Sequence, residues 1–351
     1  MEKSKILLVA LGQGAGNIVD GLLSKNKSYN GLFFNSSLFY IKPLKNANID
    51  KNVYLYPGTD GSGRDRNRSK EMINDNANAI GTLLRKYPQT EVMVVFTSMA
   101  GGTGSGAIKT FIQIASAAIP STKINVVAIL PSLTEDQLSF KNTIECWNDI
   151  NSVIDLISDI KFVDNNKRKT YKEINNEVVE SLDLAYNLMG IHADGNIDRK
   201  DSFRINTADG TGIVLKLYDG LKDAKNAIDL AIKNSVFAQP DTYDCDYLGI
   251  NLKTDGYHPN EVSKCFEVYR STYMTYNDEF NVVVLGGCEI PTQSIKLIKM
   301  ALDDKSKRKL SRDKKRSLII DFDDEGISKE NNSRREESHT GSDEKLEFSF
   351  E

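Results

Sequence analysis

Val92-Met93-Val94-Val95-Phe96-Thr97-Ser98-Met99-Ala100-Gly101-Gly102-Thr103-Gly104-Ser105-Gly106 decides the fold class. An apolar strand-like run leads into a turn with four glycines. Ala107-Ile108-Lys109-Thr110-Phe111-Ile112 then reads as a helix start. Glycines let the backbone turn sharply and approach a ligand closely. Thr103 and Ser105 add hydroxyls, and the free N–H groups of a helix start favour an anion. Strand, turn and helix together read as a phosphate cradle, against the plainer alternative of a tight turn. A P-loop would need Lys and then Ser or Thr after the last glycine. Ala107 and Ile108 stand there, so the cradle is of another kind.

Outward from the cradle, strand and helix patterns alternate. Residues 6–11, 31–40, 53–56, 91–96 and 123–130 contain strands, and helices are expected from 17–23 and over 70–87 and 106–118. Such alternation implies a parallel sheet with helices on both faces. Ligands then sit beyond the carboxyl ends of the strands, where the glycine-rich turns also fall. Residues 172–189 carry Val178, Val179, Leu182, Ala185, Tyr186 and Met189 at helical spacing, a long core helix. A smaller block follows, with strands at 212–218, 247–252 and 281–285 and helices at 223–236, 261–273 and 292–302. Four regions are expected: a nucleotide-binding domain over 1–170, a connecting helix over 171–193, a second domain over 194–302, and a charged extension over 303–351.

Bulk composition narrows the function. The 351 residues are 40% hydrophobic and 27% charged, with a net charge of −4, which is ordinary for a soluble chain and unlike a generic polyanion binder. The apolar run at residues 6–11 is too short to cross a bilayer, so a cytoplasmic protein without membrane insertion is expected. Cys146, Cys245, Cys265 and Cys288 lack CxxC spacing, and His192, His258 and His339 form no metal-ligand pattern. From Lys305 the chain turns basic, and beyond Ile320 it is polar and mostly acidic, the composition of a disordered tail. The basic run reads equally as a solvated helix end or as a contact for an acidic partner or nucleic acid.

A second glycine-rich turn, Gly12-Gln13-Gly14-Ala15-Gly16-Asn17, is close to a dinucleotide fingerprint. Its sixth position is Asn17, however, and Asn35-Ser36 replace the acid expected after the next strand, which disfavours a dinucleotide.

Residues 100–106 resemble, position by position, the (A/G/S)-G-G-T-G-(S/A)-G signature of the tubulin/FtsZ superfamily, and further loops follow in family order over roughly residues 1–300. That resemblance implies an α/β fold: a Rossmann-like parallel-sheet GTPase domain, a long central helix and a smaller α+β domain. It implies GTP or GDP with Mg²⁺ as the bound group. Gly101, Gly102, Thr103, Gly104, Ser105 and Gly106, with the loop from Gly12 through Gln13, Gly14, Ala15 and Gly16 to Asn17, would hold phosphates. Asn35 and Ser36 would lie near the nucleotide, and Gly61, Ser62 and Gly63, followed by Arg64, match the γ-phosphate-sensing loop. Glu135 stands where the family has an acid on the ribose. Asn165 and the Tyr171/Asn175 pair match the base contacts. An amide offers the guanine edge both a donor and an acceptor, and the i, i+4 spacing puts Tyr171 and Asn175 on one helix face. Asn176 leaves that register open by one residue.

Asn196, Asp198 and Asp201 match the family's N-x-D-x-x-D/E catalytic loop, although the segment also reads as a polar turn. In the family this loop completes the site of the next subunit, so the resemblance implies a polymerisation-activated GTPase that builds head-to-tail filaments. The long charged C-terminus is unlike the short apolar anchor peptide of bacterial FtsZ. It is more similar to the plasmid and phage partition tubulins (the TubZ group), which implies a DNA-bound adaptor as partner. The alternatives are an FtsZ-like division scaffold and, from another class, a dinucleotide-dependent soluble enzyme.

Overall fold

The computed structural model describes residues 1–316 except 169, 194, 221 and 222, so the expected acidic tail lies outside the described residues. Residues 1–307 form one compact unit, and of the second unit only residues 308–316 are described. In chain order the elements are β1 (Ile6–Leu11), α1 (Gln13–Lys25), β2 (Asn30–Asn35), β3 (Val53–Leu55), α2 (Arg66–Asp75), α3 (Ala77–Leu84), β4 (Val92–Ser98), α4 (Thr103–Ala118), β5 (Lys123–Leu130), α5 (Gln137–Asn151) and β6 (Asp159–Asp164). Then come α6 (Tyr171–Tyr186), β7 (Gly190–His192), β8 (Gly195–Ile197), α7 (Arg199–Asn206), β9 (Gly210–Lys216), α8 (Ala224–Asn234), β10 (Cys245–Lys253), α9 (Pro259–Ser263), β11 (Val268–Asn277), β12 (Val282–Cys288) and α10 (Thr292–Arg316). No helix among the described residues is long and apolar enough to cross a membrane.

Ten strands form one sheet in the order β11-β10-β12-β9-β6-β5-β4-β1-β2-β3. The six strands from β6 to β3 are parallel throughout, and the expected α/β layering follows from their sequence. β1 is buried at all six positions. Ile6, Leu8 and Ala10 join the core that includes α1 and α6, whereas Leu7, Val9 and Leu11 join the core under α3, α4 and α5. A strand covered on both faces needs an unbroken apolar run, and each large side chain so buried contributes about 1.5–3 kcal/mol.

Helix α6 begins where a capping box dictates: the Thr170 side chain accepts from Glu173 N–H, and Glu173 accepts from Thr170 N–H. It packs closely on α1 because Gly21 has no side chain; a Cβ there would lie 2.7 Å from Val179 Cγ2. β9 joins the parallel half through only two residue pairs, Asp159↔Gly210 and Ile160↔Thr211. β12 is antiparallel to both β9 and β10.

Two expected helices come out differently. The helix expected over 70–87 is two, α2 and α3, broken at Asn76, whose backbone leaves helical geometry (ψ 8°) and whose amide oxygen accepts from Tyr54 Oη at 2.7 Å. The helix expected over 261–273 is only the five-residue α9. The Val268–Asn277 segment pairs beside β10 as β11, as its β-branched and aromatic residues favour.

Candidate functional site

The carboxyl ends of β1 through β6 surround a cleft of about 650 Å³. Two helix N-termini, those of α1 and α4, open at it. Their N-cap residues are Gly12 and Gly102, neither of which supplies a side-chain cap, and neither helix has an acid in its first turn. The first N–H groups of a helix have no intrahelical acceptor. By contrast α2, α5, α6, α7 and α8 are each capped by a side chain, from Asp65, Asp136, Thr170, Asp198 and Asp223. Two uncapped helix starts at one cleft make an anion site, and a group with several phosphates would engage both.

Glycine is obligatory at specific points of this cradle. A Cβ on Gly104 would lie 2.2 Å from the Leu11 carbonyl oxygen, so β1 and α4 approach as closely as backbones allow. A Cβ on Gly102 would lie 2.4 Å from Ser62 Oγ and 2.6 Å from Arg64 Cα. Gly12 takes φ +84°, and its N–H donates to the Phe34 carbonyl at 2.9 Å, tying the β1 and β2 loops. Hydroxyls continue the network: Ser36 Oγ lies 2.9 Å from Thr103 Oγ1, which donates to Ser62 Oγ at 3.2 Å. Gly61 N–H donates to the Ser36 carbonyl at 2.7 Å. Asn142 Nδ2 donates to the carbonyls of Arg64, Ala100 and Gly101.

The residues expected from the sequence divide cleanly. Gly12, Gln13, Gly14, Asn17, Asn35, Ser36, Gly61, Ser62, Gly63, Gly101, Gly102, Thr103, Gly104, Glu135, Asn165, Tyr171 and Asn175 line the cleft. Ala15, Gly16, Ser105 and Gly106 do not; they pack behind it. Ser105 is fully buried and accepts from Arg66 Nε at 3.2 Å, and a Cβ on Gly106 would lie 2.5 Å from the Arg66 carbonyl oxygen. Asn175, not the exposed Asn176, faces the cleft. Asn166 is spent on structure, accepting from Leu133 N–H and donating to Asp164. Glu135 accepts from Ser132 N–H at 3.0 Å and Tyr171 Oη at 3.2 Å, so the residues expected at ribose and base meet at one rim. Burial, with the Glu135 carboxylate second, raises the Tyr171 phenol pKa.

Sequence reasoning did not single out Tyr40, Ser98, Ile129, Asp136 and Ser139, which also line the cleft. Asp136 and Ser139 carried a readable signal, an N-cap acid before a helix. Arg64, which did stand out, makes a bidentate pair with Asp136 at 2.6 and 3.1 Å.

Asn196, Asp198 and Asp201 lie elsewhere. Asp198 caps α7, accepting from Asp201 N–H at 2.9 Å, while Asp201 accepts from Asp198 N–H at 3.2 Å. Asn196 Oδ1 accepts from His192 N–H at 3.0 Å across the β7–β8 hairpin. Arg199, directly after Asp198, pairs with Glu2, which lies a short turn before β1, and with Glu91, the residue before β4. The acids are therefore at the opposite end of the parallel strands from the cleft, and β4 alone spans about 20 Å. The Asp201 N–H bond holds the Asp198 carboxyl below its ordinary pKa, so it is ionised at neutral pH.

Residues 5–168, which carry β1 through β6 and most of the cleft, match the GTPase domain of the Tubulin/FtsZ family. The chain is 31% identical over 331 residues, 92% of its length, to the tubulin-like protein TubZ of Clostridium botulinum C phage, covering 91% of that protein. Its fold matches the tail-truncated Clostridium botulinum phage c-st TubZ with a TM-score of 0.80 at 29% identity, over 88% of this chain and 100% of that one. A GTPγS-form protofilament of Bacillus thuringiensis serovar israelensis TubZ shares the fold at 15% identity (TM-score 0.74, 88% and 94% covered). With the matched GTPase domain on the half of the sheet that bears the cleft, and similarity to a TubZ along nearly the whole chain, this protein belongs to the tubulin/FtsZ family.

Proposed function

We propose that the cleft binds GTP, that subunits assemble head to tail into filaments, and that Asp198 and Asp201 of one subunit act on the nucleotide held by the next. The supporting observation is that the cradle and the acids stand at opposite ends of the same parallel strands. One subunit cannot bring its own carboxylates to its own cradle, but a neighbour stacked along the strand direction presents them there. A head-to-tail contact does not close on itself, so it builds filaments.

Each part has a task. The α1 and α4 starts hold the phosphates, and Glu135 and Tyr171 hold the ribose and base, with Asn165 and Asn175 reading the guanine edge. Hydroxyl oxygens of Ser36, Ser62 and Thr103 in the lining fit Mg²⁺, a hard cation that offsets phosphate charge. The neighbour's Asp198 and Asp201 orient the attacking water and take up its proton, so turnover waits on assembly. In this reading residues 1–170 bind nucleotide, 171–193 connect, 194–302 supply the acids, and 303–351 engage a DNA-bound adaptor during plasmid or phage DNA partition in the cytoplasm.

Asp198→Asn tests this reading, because Asn caps a helix about as well as Asp while lacking a carboxylate. GTP affinity and assembly are expected to persist while hydrolysis falls about 100-fold or more. Undiminished hydrolysis would contradict the assignment.

A further inference from the structure

Lys305 stands where the packing of α10 calls for an apolar residue. Ile298 is buried, and Ile295, Ala301 and Leu302 pack against the same core, the one that holds α3, α4 and α5. Residues 298, 302 and 305 recur at helical spacing, so Lys305 continues that stripe. A lysine can lay its stem along apolar surface when its charged head has a polar destination. Here the ammonium lies 5.4 Å from the centre of the buried Phe140 ring and donates to the Glu135 carbonyl at 2.5 Å. One position on, Ser306 Oγ accepts from Gln137 Nε2 at 2.9 Å. Two consecutive residues of α10 thus hold the segment that joins β5 to α5.

We infer that Lys305 is a positioning residue of the nucleotide site: it fixes Glu135 against the ribose and so sets how strongly the cleft discriminates by the sugar hydroxyls. This rests on the reading of Glu135 as the acid that meets the ribose. The bond falls on the main chain of the residue whose side chain faces the cleft. Glu135 lines the cleft, and its carboxylate accepts from Ser132 N–H at 3.0 Å and from Tyr171 Oη at 3.2 Å. Its own N–H donates to the Ser132 carbonyl at 3.0 Å, which closes a short turn. A cation on the carbonyl of that turn makes a charge-assisted bond, roughly twice as strong as a neutral one.

Other braces of the loop act on other residues. Leu133 N–H donates to Asn166 Oδ1 at 2.8 Å, and Asp136 caps α5, accepting from Ser139 N–H at 2.8 Å. Glu135 itself is held through its side chain by Tyr171 and through its carbonyl by Lys305. Loss of the ammonium therefore frees the Glu135 main chain while both flanks of the loop stay anchored. Lys299 provides the comparison, since it carries the same charge on the same helix at an exposed position.

Isothermal titration of the full chain with GDP and with 2′,3′-dideoxy-GDP tests the inference, because the second nucleotide lacks the hydroxyls that Glu135 would meet. The unaltered protein is expected to prefer GDP by about tenfold, the worth of a hydrogen bond to a charged group. Lys305→Met keeps the apolar stem and removes the donor. It is expected to weaken GDP about fivefold and dideoxy-GDP less than about twofold, so that the preference narrows to a few fold. Lys305→Arg restores a cation and should recover most of the preference, and Lys299→Met should leave it intact. A lysine that merely packed α10 would, on replacement, weaken both nucleotides alike or neither, and either result would overturn the inference. If the unaltered protein bound the two nucleotides equally, the ribose role of Glu135 would fall, and the positioning role with it. If it bound neither, the reading of the cleft itself would fall.

Discussion

The two ends of the parallel sheet treat their helix starts in opposite ways. At the carboxyl end α1 and α4 begin with glycine and leave their first N–H groups to a ligand. At the other end α7 begins with a reciprocal Asp198–Asp201 box that satisfies its own N–H groups. The first arrangement leaves two helix starts open to an anion. The second makes a carboxylate pair that is structurally complete alone and has no phosphate within reach. In the proposed reading these are the two halves of one reaction, set on opposite faces.

The largest effect is expected in the cradle. Gly104→Ala forces a Cβ against the Leu11 carbonyl, a backbone atom that cannot step aside, and is expected to abolish nucleotide binding and to cost about 1–3 kcal/mol of stability. Gly101→Ala is the control: its Cβ would meet nothing nearer than the Ser98 carbonyl oxygen at 3.8 Å. Its melting temperature should match the parent, as thermal denaturation would show. Equal loss in both variants would mean that close approach is not what the glycines provide.

The next effect separates cap from chemistry at the other end. Asp198→Ala and Asp198→Asn should lose hydrolysis equally in a phosphate-release assay, but only the alanine variant should melt earlier, because only it loses the cap. The smallest effect is in pH. The folded Asp198 carboxyl lies below its ordinary value, so its stabilisation is fully present above the unfolded pKa of about 3.9 and is lost as pH falls through the folded value. The melting gap between the unaltered protein and Asp198→Ala should stay constant from about pH 5 to 8 and shrink below about pH 4.

The glycine-rich turn before α4 and the acid pair at the start of α7 were legible in the sequence because their patterns are local. The cradle declares itself in consecutive residues from Ala100 to Gly106, and the α7 box in Asp198 and Asp201 three apart. Contacts between distant segments were not legible. Arg64 meets Asp136 and Arg66 meets Ser105 only through the sheet. Hence Ser105 and Gly106, read as cradle residues, turn out to pack behind it. The β11 segment was misread for a related reason. Its aromatic and β-branched residues become a strand because β10 offers an edge to pair with, and local spacing does not reveal that edge.

Hydrolysis per subunit, measured across a concentration series beside light scattering, tests the separation of the two halves most directly. If the acids act only on a neighbour's nucleotide, turnover per subunit stays near zero below the assembly threshold and rises with scattering above it. Turnover per subunit that is constant across the threshold would contradict the account, because one chain would then hold a complete site.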